Sequence, residues 1–313
     1  MEKTFKVLLV GQSLGNDTIW LLYDVLRAEM PDGEFVVGNI YQSLSLGQHR
    51  KNIEENNRDY IYYKFVNDAR VQTNEVTVEH GLTDEDWDVI IFNEATYPST
   101  QEKEYLDGDI EFMIDYIRKT ATPGFRLCYN ATGANPTSGL LWGEDRRRPA
   151  AGVQERYLNE FGGSRNKYYE MLCANFKKHI ETNKEFDLVF HTGTAIQYAS
   201  ETYGVPEADP QRNYDLYRDY VHLSDFGRLL VAYQLYAQIF GLEKLEEVKV
   251  DVVKAASRHK ESQSFGDLQI TQRHKDAIIA SVNWALANPN KIPEQTARPE
   301  AFLERPDLEC LRN

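Results

Sequence analysis

Twelve residues, Lys6 to Asp17 (KVLLVGQSLGND), constrain this chain more than any other stretch. Val7 to Val10 is a short run of β-branched residues and leucine, the composition of a strand buried on both faces. The run stops at Gly11, and Ser13 sits in a tight segment closed by Gly15. Ile19, Leu22, Tyr23 and Leu26 then recur at helical spacing, with Asn16, Asp17 or Thr18 available as the cap. Strand, glycine-punctuated turn and amphipathic helix follow in order. Such a turn presents one side chain at the carboxyl end of a central strand, where open α/β sheets receive ligands. The side chain offered is the Ser13 hydroxyl.

Strand and helix signals alternate beyond this point, which predicts an α/β fold: a parallel sheet of about five strands with helices on both faces. The strands fall at Val7–Val10, Phe35–Gly38, Asp88–Phe92, Phe125–Tyr129 and Asp187–Phe190. Two β-rich runs around Asn67-Asp68 predict an inserted hairpin at about 58–80. Helices are expected over Ile110–Arg118, Tyr168–Ile180, Thr192–Tyr203, Leu223–Phe240 and Ile270–Ala287, with a polar one following the loop 39–49. The stretch 134–165 is the longest irregular segment. The reading is therefore one α/β domain over residues 1–290, followed by an extended, proline-bearing tail, 291–313.

The bulk numbers narrow the partners. Against 49 acidic residues stand 35 basic ones, a net charge of −14. No phosphate-neutralising surface is available, so nucleic acid and anionic membranes are not expected partners. No apolar run approaches the ~20 residues of a membrane span. Cys128, Cys173 and Cys310 form no disulfide framework; the first two lie in apolar runs and read as buried free thiols. The histidines are scattered, so no metal site is expected. No phosphate loop or dinucleotide fingerprint is present, and no cofactor is called for. Compartment and oligomeric state stay open: cytoplasmic as written, or periplasmic or secreted where a leader precedes residue 1.

A second constellation lies far along the chain, in Arg218-Asp219-Tyr220-Val221-His222-Leu223-Ser224. Asp219 and His222 are three apart, just before an apolar helix. A carboxylate and an imidazole on one turn can share a hydrogen bond that fixes the ring tautomer. The other ring nitrogen can then take a proton from a serine hydroxyl. The fold reading brings both segments to one sheet edge. Taken singly, each residue has a plainer reading: Ser13 as a turn serine, His222 as a core histidine, Asp219 as a residue common before helices. His191 reads as structural, and His49 as helix surface or pocket rim. Asn130, at the end of the fourth strand, is placed to line the pocket. Arg146 to Arg148 read as a solvated loop, or as a lid that Trp142 helps by stacking on a sugar.

These residues carry a resemblance. Gly-x-Ser after strand one, with Asp-x-x-His before the last sheet-covering helix, resembles the SGNH (GDSL-like) hydrolases. The similarity is closer to a bacterial branch catalogued as a domain of unknown function. It rests on Gly11-Gln12-Ser13, Ser45-Leu46 with His49, Trp87 to Phe92, Gly193 to Ile196, and Asp219 to Gly227. The resemblance implies a three-layer, flavodoxin-like SGNH-hydrolase fold and a serine esterase or acetylesterase. Its substrate would be a small-molecule or carbohydrate ester. Ser13 would be the nucleophile, His222 the base and Asp219 its partner. The family's oxyanion donors would be the N–H of Ser13, the N–H of Ser43 and the Asn93 amide. The sequence departs from the family at the last two, with Ser43 in place of glycine and Phe92-Asn93-Glu94 in place of Gly-x-Asn. That departure supports a second expectation, an impaired enzyme of the same fold that binds carbohydrate.

Overall fold

The computed structural model of the protein describes residues 4–134, 159–162, 164–202, 216–217, 222–250 and 270–293. Five strands run parallel: β1 (Phe5–Gly11), β2 (Phe35–Tyr41), β5 (Val89–Phe92), β6 (Arg126–Asn130) and β7 (Leu188–Phe190). Between β2 and β5 in sequence lie β3 (Tyr60–Val66) and β4 (Ala69–Val76). They form an antiparallel hairpin turned by Asn67 and Asp68, at φ 49° and 58°. Two consecutive left-handed residues match the turn that suits strand twist.

The hairpin corrects the expected strand number. It pairs with β2 antiparallel and extends the sheet, which has seven strands in the order β4-β3-β2-β1-β5-β6-β7 rather than five. β2 reaches Tyr41, beyond the predicted Gly38, and so offers the hairpin a full edge.

The helices are α1 (Ser13–Ile19), α2 (Leu22–Glu29), α3 (Leu46–Glu54), α4 (Val78–Thr83), α5 (Asp109–Thr120), α6 (Arg165–Asn175), α7 (Thr192–Thr202), α8 (Asp225–Ile239) and α9 (Gln272–Ala287). α6 runs on into a π turn, Phe176–Ile180. Alternation along β1 splits the core in two. Val7 and Leu9 pack with residues of α1, α2, α7, α8 and α9, while Leu8 and Val10 pack with α3, α4, α5 and α6. Three layers result, because a strand buried on both faces needs a helical layer on each.

The first helix differs from expectation. It begins at Ser13, capped by the Gln12 side chain, so Asn16, Asp17 and Thr18 lie inside it. Cys128 and Cys173 are buried free thiols, and burial pushes both pKa values up to about 12. Outside the described residues lie most of the 134–165 loop with Trp142 and Arg146 to Arg148, the chain beyond 293 with Cys310, and Asp219. Among the described residues, no helix is long and apolar enough to cross a membrane.

Candidate functional site

The chain leaves β1 towards β2 on one side and returns to β5 on the other. The crevice between β1 and β5 is thus the sheet's switch point, where such folds bind ligands. Ser13 sits there as the first residue of α1, half-buried. Gln12 Oε1 accepts from the Leu14 N–H (2.7 Å) and lies 3.4 Å from Ser13 Oγ. The N–H of Ser13 belongs to the first turn of a helix, whose amide donors and dipole favour negative charge. From β5, buried Asn93 packs onto the same turn. A Cβ added at Gly11 or Gly15 would stand 2.9 Å from Asn93 Oδ1. Two glycines therefore let the Asn93 amide close on the Ser13 turn.

A second tie comes from 211 residues away. Ser13 and Asp17, four apart, share a face of α1. Asp17 is fully buried; its Oδ1 accepts from Arg228 Nε at 2.9 Å and Nη2 at 2.7 Å. Its Oδ2 accepts from the backbone N–H of Leu223 at 2.8 Å. Arg228, on α8, is itself buried, reaches Asp225 at 3.5 Å, and lies over the Trp20 ring. The residue after His222 is thereby held to α1, one turn from Ser13. On its other side the same segment is closed by Ser224 N–H donating to Leu216 O (2.9 Å) and by the Tyr217–Leu223 bridge. His222 is half-buried beside this clamp.

The remaining candidates are distributed along the same end of the sheet. Ser43 is exposed, and its N–H donates to Gln42 Oε1 at 2.9 Å. Asn93 Nδ2 donates to the Glu94 carbonyl at 3.0 Å. Asn130 is fully buried at the end of β6, where Oδ1 accepts from Thr192 Oγ1 at 2.7 Å. Near it a cleft of about 20 Å³ opens, lined by Leu14 and Thr18 of α1, Thr132 and Gly133 after β6, Thr192 and Ile196 of α7, and by Tyr217, Leu223 and Val231. Its walls include the residues that follow Ser13 and His222. Gly193 makes this corner possible, since a Cβ there would lie 2.3 Å from the Thr132 carbonyl oxygen. The structure thus brings Ser13 and Asn93 together. It ties the His222 turn to them and sets Asn130 one strand further along.

Sequence reasoning passed over three residues. At Asp17 the local pattern signals only a helix cap. Arg228 had a signal, a lone cation inside an apolar helix, because a buried charge must be paired. Glu94 is 3% exposed; its carboxylate accepts from the N–H groups of Leu46 (3.0 and 3.3 Å) and Ala95 (2.5 Å). Burial raises its pKa to about 7 against the pull of those donors. His49 is also corrected: it is buried rather than on a surface or rim, with Nδ1 2.9 Å from Tyr60 Oη, and burial lowers its pKa to about 4. His191 is likewise lowered by burial. Among the described residues, no group of three or more His, Cys, Asp or Glu could hold a metal ion.

Fold and site together define a doubly wound α/β protein with a serine at the switch point of its sheet. The chain belongs to the family described as DUF4886, a domain of unknown function, whose profile matches residues 6–263. A crystal structure of a DUF4886 family protein from Bacteroides uniformis ATCC 8492 is similar at 23% identity and a TM-score of 0.69, covering 93% of this chain and 98% of that one. Weaker matches are a Slackia heliotrinireducens protein described provisionally as an SGNH hydrolase (17% identity, TM-score 0.46, 76% of this chain and 100% of that one) and a gut microbial diltiazem-metabolizing enzyme (12% identity, TM-score 0.44, 77% and 48%). None of the curated proteins matches the chain.

Proposed function

We propose that the protein is a serine hydrolase of the SGNH type that cleaves a small-molecule or carbohydrate-linked ester. The observation that carries this reading is the buried Asp17 bridge. It ties the turn of the candidate base to the helix that begins at the candidate nucleophile. A serine hydroxyl is a weak nucleophile at neutral pH, so its base must be held beside it. In this reading Ser13 Oγ attacks the ester carbonyl carbon as His222 takes its proton. Asp219 orients the imidazole and stabilises its charged form. The tetrahedral oxyanion is met by the Ser13 N–H at the head of α1, with the Ser43 N–H and the Asn93 amide as further donors. The alcohol leaves with the proton from His222, and water then releases the acyl group by the same steps. Asn130, fully buried and hydrogen-bonded to Thr192, backs the wall of the cleft rather than lining it as its strand-end place suggested.

One observation favours a second reading, a carbohydrate-binding protein with the chemistry lost. The Ser43 N–H and Asn93 Nδ2 already have acceptors in Gln42 and Glu94. A fluorophosphonate probe separates the two. The hydrolase reading expects covalent labelling of the wild-type protein and none of Ser13→Ala. No labelling of the folded wild-type protein overturns it in favour of the binding reading.

A further inference from the structure

The donors invoked above come from three separate segments, and their spacing must be held by something. The 42–45 loop is pinned at one end, where the Gln42 N–H donates to the Gly11 carbonyl at 3.2 Å. At its other end Ser45 caps α3, with Gln48 closing a capping box. Beyond that cap, the first helical N–H, that of Leu46, points at Glu94. Glu94 follows Asn93 directly, at the end of β5. Its carboxylate also takes the Ala95 N–H, while its own N–H donates to Tyr129 Oη at 3.2 Å. One buried side chain therefore joins the Ser43 loop to the Asn93 strand end.

We propose that Glu94 is a positioning residue for the Ser13 site, a latch that holds the Ser43 loop against the Asn93 strand end while its carboxylate is charged. This rests on the reading of Ser13 as the nucleophile. The chemistry of the latch is simple. An ionised carboxylate only accepts, and can serve both N–H groups at once. A protonated one turns an oxygen into a donor, which faces N–H groups that have nothing to accept it. Bonds from N–H groups to a charged acceptor are also roughly twice as strong as neutral ones. The surroundings are balanced against the charge. Tyr105 and Tyr129 are buried and held neutral, and Glu104 and Asp107 raise the carboxyl further. Asp109, which packs by Gly47 in the first turn of α3, is answered by Arg50 at 3.3 Å. Burial is the larger influence, so both forms of Glu94 are populated near neutral pH. The latch is then half-set where a hydrolase of this kind would work.

The test has two arms on the full chain. Backbone amide shifts of Leu46 and Ala95 are followed by NMR from pH 5 to 9 in wild type and Glu94→Gln. In parallel, kcat and KM for p-nitrophenyl acetate are measured over the same range. The expectation is a common amide midpoint close to 7 in wild type that vanishes in Glu94→Gln. The variant should also lose kcat at pH 8 by ~10-fold to ~10²-fold, the cost of a misplaced group, with KM little changed. Unmoving amides, or a Glu94→Gln kcat equal to wild type at pH 8, overturn the latch and leave the Ser13 reading intact. Wild-type protein that titrates at these amides yet turns over no ester overturns the Ser13 reading, and the positioning role falls with it.

Discussion

Asp17 and Glu94 are buried carboxylates at the same end of the sheet, one on each face, and the protein treats them oppositely. Asp17 meets a guanidinium through two nitrogens and a backbone N–H. Glu94 meets backbone N–H groups alone, and its pKa rises to about 7 because burial outweighs them. A matched charge acts as a fixed structural tie. A charge met only by dipoles remains adjustable within the physiological range, which is the usual mark of a group near a working site. The contrast separates what assembles the site from what can tune it.

The hardest way to break the contrast is to unmatch Asp17. Arg228→Ala leaves a buried carboxylate without its cation, and losing one partner of such a pair costs about 3–5 kcal/mol. Urea denaturation should register that loss. Fluorophosphonate labelling of the surviving folded protein should fall as well, because the Leu223 tie slackens with it. An unchanged midpoint would mean that the bidentate contact contributes nothing net.

The second test uses pH on the other carboxylate. A carboxyl whose folded pKa is raised from 4.5 to about 7 stabilises the fold below pH 4.5, and that contribution is lost as pH climbs through 7. The amount at stake is on the order of 3 kcal/mol. Wild type should therefore lose ground against Glu94→Gln in thermal unfolding between pH 4 and pH 8. Were the gap between the two proteins constant over that range, Glu94 would not be titrating there.

How much of this was legible in sequence follows the range of the forces involved. Strand β1 announced itself because four consecutive apolar residues ending at Gly11 have few other uses. The β3–β4 turn was readable because Asn67-Asp68 suits two left-handed residues in succession. Both signals are local. The pairing of that hairpin with β2 is not, so the sheet was expected with five strands and has seven. The start of α1 was misplaced because Gln12 is an uncommon cap, while Asn16 and Asp17 look like good ones. The Asp17–Arg228 pair spans 211 positions, and no local pattern encodes such a partner. Asn93 enters only through the resemblance to the SGNH hydrolases, not through a local pattern. Glu94, one residue on, does not enter at all, because only the arrival of α3 turns an ordinary acidic residue into a buried one.

The smallest expected effect asks which tie holds the His222 turn. Ser224 caps α8 by accepting from the Gly227 N–H at 3.2 Å, and Asp17 grips the residue just before it from the side. Both contacts fix the same few residues, but they differ in strength. A serine cap contributes about 1 kcal/mol, and its loss is partly made good by water. Ser224→Ala should therefore lower stability by about 1 kcal/mol while leaving fluorophosphonate labelling near the wild-type rate. If labelling instead fell as far as in Arg228→Ala, the cap would be the element aligning the turn. The buried pair would then be a core contact with no bearing on the site.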